Sequence, residues 1–235
     1  MALQLLITVV SILVCGLTYT SIARAVDFER ICASDSSVAH IRVAVEKTVP
    51  IVLKNQSAAE LQALSPELMG RLHIGLTQAV LQRRYSISLN GPIQSATREA
   101  CGKPVIEIRL RYDPLRIYLA SELSSNRCAQ EDVLRHELRH VRLYATAVDR
   151  AAAQLERELF VRFNTSMLRG IEQSLLEQIQ SELRERWFPR LETLLDQSAP
   201  AHTALDRDAD EQALITCEGA LPSIVREINA RTRSE

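Results

Sequence analysis

A long stretch without glycine or proline, Cys128–Arg169, constrains the fold of this chain most. Glycine and proline are the two residues that most destabilise a helix interior, so their absence permits one long helix. Apolar residues recur along the stretch at three- and four-residue steps, which is typical of an amphipathic helix. The predicted apolar stripe consists of Leu134, Leu138, Val141, Ala145, Val148 and Ala152.

The same stretch contains His136-Glu137-Leu138-Arg139-His140, in which two imidazoles are four residues apart. Residues i and i+4 share one helix face, so both rings can reach a common ion. Zn²⁺ is the expected ion, because a catalytic zinc takes three protein ligands plus a water molecule. Glu137 would then accept a proton from that water as general base. The helical geometry also places Tyr144 on this flank of the apolar stripe, where it can hydrogen-bond a ligand.

The third metal ligand is expected from another segment of the chain. Glu156 and Glu158 follow on the same helix, but at about 1.5 Å per residue they lie more than about 20 Å from His140. His202 and Asp206 are four residues apart and flank the inner face of a further predicted helix. Either of these two side chains is a candidate third ligand.

The motif at 136–140 resembles the H-E-x-x-H signature of the zincin metallopeptidases. The second half of the chain also resembles a bacterial family of predicted secreted zinc-dependent proteases (domain of unknown function 922). That family has H-E-x-x-H, then long helices and a later acidic segment of the form Y-D-x-x-T. Here Leu205-Asp206-Arg207-Asp208-Ala209 corresponds, with leucine and alanine in place of tyrosine and threonine.

This resemblance implies a zinc-dependent peptidase that hydrolyses a peptide or protein substrate. His136, His140 and Asp206 would hold the metal and Glu137 would act as general base, with His202 as the alternative third ligand. The alternative function is a non-catalytic periplasmic module that binds a metal or a partner through a degenerate site. The Glu- and Arg-rich helix predicted from residue 171 suits such a partner-binding role equally well.

The charge of the chain argues against a nucleic-acid-binding protein. Lys and Arg number 28 against 29 Asp and Glu, and no basic stripe or aromatic platform is present. The sequence gives no indication of an oligomeric state.

The N-terminal residues 1–25 have the composition of a signal peptide. Leu3–Thr18 is almost wholly apolar, and Ala23-Arg24-Ala25 offers small residues for cleavage after Ala25. Cleavage predicts one mature domain over 26–235, periplasmic or secreted and without stable membrane insertion. An uncleaved membrane anchor is the alternative, because the apolar run is near the short limit for a membrane span.

Cysteine usage also indicates export, because the predicted mature chain keeps four widely spaced cysteines: Cys32, Cys101, Cys128 and Cys217. Four cysteines predict two disulfides with three possible connectivities. A bridge at Cys128 would fix the N-terminal end of the long helix.

The predicted fold class is α+β, with a small, mostly antiparallel sheet in the N-terminal half. Strands are predicted at 41–46, 85–89, 105–112 and 115–119, the last two separated by a break at Asp113-Pro114, and Pro50 interrupts the chain before the apolar residues 51–53. The zincin resemblance implies that Leu115–Leu119 edges the cleft and pairs with extended substrate.

A short helix is predicted over Ser57–Leu64, with Ser57 as N-cap and Glu60 as its capping-box partner. Everything after Cys128 is predicted to be helical. The metal-binding helix is followed by helices over Ile171–Trp187, ending near Pro189, and over Thr203–Cys217.

Overall fold

The computed structural model describes residues 27–64, 73–213 and 216–232. The predicted signal peptide lies outside these residues. The fold is α+β, as the sequence predicts. The helices are α1 (27–34), α2 (Ala58–Leu64), α3 (Arg127–Asn164), α4 (Glu172–Glu182), α5 (Phe188–Asp196), α6 (Ala199–Ala213) and α7 (Ala220–Thr232). The strands are β1 (His40–Glu46), β2 (Ile51–Leu53), β3 (Gly75–Asn90), β4 (Glu99–Leu119) and β5 (Leu168–Ile171).

The strand β4 is the centre of the five-stranded sheet. Its partners are β1 and β2 in the order β1-β4-β2, and β3 and β5 also pair with it. The pairing with β2 is parallel, with Ile51 opposite Arg116, and the pairing with β5 is antiparallel, with Glu99 opposite Ile171. The sheet therefore combines both strand orientations.

The segment Leu115–Leu119 is the end of β4 and not a cleft edge, so the role implied by resemblance is wrong. Its residues 116–118 pair with β2. Directly after it, the backbone N–H of Ala120 donates to the carbonyl of Ile74, 2.9 Å away, just before β3. Leu115, Ile117 and Leu119 are buried. An extended substrate therefore has no free backbone edge at this segment.

The predicted break at Asp113-Pro114 is also wrong, because β4 runs through it. The Asp113–Pro114 peptide bond is cis, and the Asp113 carbonyl accepts a hydrogen bond from Gln82 Nε2 at 3.1 Å. At Asp113-Pro114 the buried positions of the strand change instead from even-numbered to odd-numbered residues. The buried residues are Ile106, Ile108 and Leu110 before the proline and Leu115, Ile117 and Leu119 after it.

The long helix α3 confirms the prediction of a continuous helix, but its buried face is rotated from the predicted stripe. Asn126 caps it, with Oδ1 accepting from the backbone N–H of Ala129 at 3.0 Å. Val148 and Ala152 are buried as predicted, and Leu134, Leu138 and Val141 are partly buried against the core, whereas Ala145 is exposed. The buried face passes instead through Glu137 and His140, because β3 packs against that side of the helix at Gly75.

The helical half departs from its prediction in two places. The strand β5 interrupts it, because Gly170 has a φ of 149°, which glycine adopts readily and a helix cannot contain. Pro189 does not end the following helix: a π-helical turn, Leu183–Trp187, leads into α5, where proline is tolerated in the first turn. The helix α6 begins at Ala199, earlier than predicted, so both His202 and Asp206 lie within it.

Local capping chemistry was predicted correctly at α2. The backbone N–H of Ser57 donates to Glu60 Oε2 at 2.6 Å, and the backbone N–H of Glu60 donates to Ser57 Oγ at 3.2 Å. These two bonds form the predicted capping box.

The chain divides into two compact units. Their described residues are 27–41, 86–106 and 158–184 in the first unit, and 42–64, 73–85, 107–157, 185–213 and 216–232 in the second. A core cluster of the second unit packs α2, the end of β4, the start of α3 and α7 together: Ala58, Leu61, Ile117, Leu119, Ala129, Val133, Leu221 and Ile228. A single domain over 26–235 stays a prediction.

The four cysteines form two disulfides, Cys32–Cys101 in the first unit and Cys128–Cys217 in the second. This pairing selects one of the three connectivities that the sequence left open, and it ties down the start of α3 as predicted. Two disulfides are consistent with the oxidising environment of an exported protein.

Within the part of the chain that the structure describes, no helix has both the length and the apolar composition of a membrane span.

Candidate metal site

Three side chains from two helices of the second unit converge on one point. His140 Nε2 lies 3.0 Å from His136 Nε2 and 2.8 Å from Asp206 Oδ1. His136 Nε2 lies 3.2 Å from the same Asp206 oxygen. The side chains of His136 and His140 are 16% and 11% exposed, whereas that of Asp206 is 48% exposed. The group is therefore anchored in α3 and opens toward solvent on the side of α6.

The separations within this group fit a bound cation. Without an ion, ring N–H protons lie between such atoms as hydrogen bonds, and a bound cation can take their place. A tetrahedral zinc with bonds of about 2.0–2.2 Å holds its ligand atoms about 3.3 Å apart, close to the distances seen here. His136, His140 and Asp206 could therefore hold a metal ion. Imidazole also suits copper, iron and nickel, so the donor set alone does not identify the metal.

Asp206 is ionised in this arrangement. Burial opposes its negative charge, but hydrogen bonds from His136 and His140 outweigh that effect and hold the pKa of Asp206 well below its ordinary value. A carboxylate that stays charged supplies an anionic ligand beside the two imidazoles.

His202, the alternative third ligand, contacts the opposite side of His140. Its Nδ1 lies 2.8 Å from His140 Nδ1, the ring nitrogen that does not face His136 and Asp206. The two ring planes are 5° from parallel and the ring centres are 5.1 Å apart. With the nitrogens so much closer than the centres, the rings meet edge to edge in an N–H···N hydrogen bond. Among the described residues, the converging group does not include His202.

Glu137 is buried beside this group, with 4% of its surface exposed. Thr77 Oγ1, on β3, donates a hydrogen bond of 2.7 Å to Glu137 Oε2. Burial raises the pKa of Glu137, while the Thr77 hydrogen bond and the neighbouring imidazoles of His140 and His136 act to lower it. A buried carboxyl group with a raised pKa is a stronger base than an exposed one, which suits it to accept a proton.

Gly75 allows β3 to approach α3 closely at this point. A Cβ atom at Gly75 would lie 2.5 Å from Glu137 Oε1 and 2.6 Å from Val133 Cγ1. Both distances are far inside van der Waals contact. Any larger residue would therefore displace either the Glu137 carboxyl group or the strand.

Two tyrosines lie next to the histidines. The Tyr144 ring is 4.4 Å from the His202 ring and 5.7 Å from the Tyr112 ring, centre to centre. Burial, and then the negative charges of Glu137 and Asp206, raise the pKa of Tyr144. Burial and the proximity of Tyr144 raise the pKa of Tyr112 to about 12. Tyr144 therefore keeps its proton at neutral pH and can donate a hydrogen bond.

The structure brings together the residues that the sequence singled out, His136, Glu137, His140, Tyr144 and Asp206. Sequence reasoning missed Thr77 and Gly75. Thr77 contacts a residue 60 positions away, and the alternation that predicted this strand covered only its later part. The one available sequence feature was Gly75, an isolated glycine ahead of apolar and β-branched residues. Such a glycine indicates a close backbone approach but not which residue is approached.

Comparison of the chain with protein-family models, with curated proteins and with solved structures finds no match.

Proposed function

We propose that this chain is an exported zinc metallopeptidase that hydrolyses peptide bonds in a peptide or protein substrate. The observation that carries the proposal is the convergence of His136, His140 and Asp206 beside the buried carboxyl group of Glu137. Two histidines and one carboxylate are a ligand set of catalytic zinc sites, in which a water molecule takes the fourth position. The resemblance of residues 136–140 to the zincin signature supports the same reading.

Zinc, when bound, supplies two effects: it makes a coordinated water more acidic and it polarises a carbonyl oxygen. Glu137 accepts the proton of the attacking water and passes it to the leaving amine, acting first as base and then as acid. The hydrogen bond from Thr77 holds the Glu137 carboxyl group in place for both steps. Tyr144 donates a hydrogen bond to the negative charge that develops on the substrate oxygen.

Export is proposed from two features. The first is the signal-like composition of residues 1–25. The second is the pair of disulfides, which persist in the periplasm or outside the cell and are rare in the cytosol. The substrate would accordingly be a peptide or protein of that compartment.

Hydrolysis of a broad peptide library by zinc-loaded protein tests the proposal. Glu137→Gln should keep the zinc and the fold but lose about 10²- to 10⁴-fold in rate, because the general base is removed and the ligands remain. Glu131→Gln is the matched control, since Glu131 is an exposed residue of the same helix and its substitution should leave the rate unchanged. Cleavage products are quantified by mass spectrometry.

Zinc-loaded wild-type protein that cleaves no peptide would contradict the proposal. The non-catalytic module that binds a metal or a partner would then be the better account. Equal hydrolysis by wild-type protein and Glu137→Gln would also contradict it, because the cleavage would then arise elsewhere.

A further inference from the structure

We infer that His202 is a positioning residue, a hydrogen-bond acceptor that fixes the ring of His140 and determines which of its nitrogens faces the metal. The inference rests on the metal site of the proposed function and adds a histidine that is not itself a ligand. His202 acts on the metal only through His140, and its observed contact is the hydrogen bond between the two Nδ1 atoms.

The direction of this hydrogen bond follows from the position of His140. Its Nε2 faces His136 and Asp206, at 3.0 Å and 2.8 Å. A ligand nitrogen must be unprotonated, and a neutral imidazole carries its one proton on the other nitrogen. That nitrogen is His140 Nδ1, which lies 2.8 Å from His202 Nδ1. With a metal at Nε2, His140 therefore donates and His202 accepts.

The helix α6 thus holds both nitrogens of the His140 ring. Asp206 contacts Nε2 and His202 contacts Nδ1. His202 and Asp206 are four residues apart, so they lie on one face of α6, one turn from each other. The nearly coplanar arrangement of the two imidazoles leaves the His140 ring little freedom to flip or to tilt.

His202 is itself held in place by packing. The ring of Tyr144, one turn beyond His140 on α3, lies 4.4 Å from the His202 ring at an angle of 41°. This contact fixes the plane in which His202 offers its Nδ1 lone pair. The acceptor is therefore in position before any metal binds, so metal binding does not have to order the His140 ring.

An imidazole acceptor differs from the usual partners of a ligand histidine. Those partners are carboxylates, backbone carbonyls or water, and a carboxylate also raises the basicity of the ligand. A neutral imidazole accepts the same hydrogen bond without adding negative charge. We therefore expect His202 to act through the orientation and tautomer of His140, and an uncharged acceptor of similar reach should replace it.

Metal affinity measured by competition with a chromophoric chelator tests the inference. His202→Ala should weaken zinc binding about 10- to 100-fold, the range for loss of a residue that orients a ligand. His202→Asn should restore most of the affinity, because its Oδ1 is an uncharged acceptor close to the position of Nδ1. His136→Ala sets the larger loss expected for a ligand. His40→Ala, which removes an exposed imidazole from β1, should have no effect.

Absorption spectra of the cobalt-substituted proteins supply a readout that a general loss of stability would not change. Wild-type protein and His202→Asn should share the same visible bands, and His202→Ala should have altered bands because the His140 ring is free to tilt. Thermal unfolding of the metal-free variants checks the fold. Alanine favours helix over histidine, so His202→Ala should not weaken α6 through helix propensity.

Three results would overturn the inference. They are an unchanged zinc affinity in His202→Ala, a loss as large as that of His136→Ala, and a His202→Asn variant no better than His202→Ala. The second would make His202 a ligand. A wild-type protein that binds zinc but cleaves no peptide overturns the peptidase and leaves this test intact, because no readout here is hydrolysis.

Discussion

The carboxyl group of Glu137 experiences two opposing effects from its surroundings. Burial raises its pKa, and the hydrogen bond from Thr77 favours the ionised form and lowers it. Only the ionised carboxylate can accept a proton. The pKa of Glu137 therefore sets the acidic limb of the pH–rate profile that we expect for kcat/KM.

Removing the Thr77 hydroxyl should move that acidic limb to higher pH. Thr77→Val keeps the side-chain shape but leaves Glu137 Oε2 without its donor, so ionisation requires a higher pH. On the acidic limb, kcat/KM should fall about tenfold, since a hydrogen bond to a charged group contributes about 1.5 kcal/mol.

Thr77→Ser keeps the hydroxyl donor and is the matched control, with a profile expected to overlie that of the wild-type protein. The measurement is kcat/KM across the acidic range for all three proteins. A shift of the Thr77→Val limb to lower pH would contradict the role assigned to this hydrogen bond.

The residues of the site also show which contacts can be predicted from spacing in the sequence and which cannot. The four-residue spacings of His136 with His140 and of His202 with Asp206 placed each pair on one helix face. They did not reveal that Asp206 lies at His140 Nε2 and His202 at His140 Nδ1. That assignment depends on how α6 packs against α3, which no local pattern encodes.

At the scale of elements, the disulfide Cys128–Cys217 joins the start of α3 to the segment that follows α6. Cys128 is in the first turn of α3, and Cys217 is in the 3₁₀ segment Thr216–Gly219 that follows α6. The bridge therefore limits the movement of α6, with Asp206 and His202, away from α3. The metal site should depend on it.

Replacing both members of this bridge, Cys128→Ser with Cys217→Ser, should weaken zinc binding about tenfold or more, because an added ordering cost of about 1.4 kcal/mol already gives a factor of ten. The control is Cys32→Ser with Cys101→Ser in the other unit. The two bridges span 89 and 69 residues, so each removal should cost a similar stability of about 2–4 kcal/mol. Chelator competition and denaturant unfolding separate the two effects.

Equal zinc affinities for the two double variants would show that α6 is held against α3 without the bridge. A greater loss of affinity from the Cys32–Cys101 variant would contradict the account more strongly, because that bridge lies in the other unit.

Helices and strands were predictable where the sequence features that specify them lie within a few neighbouring residues. The capping box of α2, the alternation in β1 and the uninterrupted stretch of α3 all depend on neighbouring residues. The strand β5 depends on pairing with Glu99–Gly102, which lies far away in the sequence, and only Gly170 hinted at a break in the helix. The end of β4 was misjudged because Pro114 usually interrupts a strand interior.

At the scale of the whole molecule, every residue of the candidate site belongs to the second unit. The α+β class followed from strands early in the chain and helices later. The division into two units did not follow, because β3, β4 and α3 each contribute residues to both units. A boundary that passes through continuous elements leaves no change of composition in the sequence.

Elemental analysis of protein purified without chelator tests the central claim, the metal site, most directly. Wild-type protein should contain about one zinc ion per chain, as three protein ligands and a water molecule complete a single zinc. His136→Ala and Asp206→Ala should each lose most of it, whereas Asp208→Ala, an exposed carboxylate of the same helix, should keep it. Wild-type protein without near-stoichiometric zinc, or equal zinc in wild-type protein and Asp206→Ala, would contradict the account.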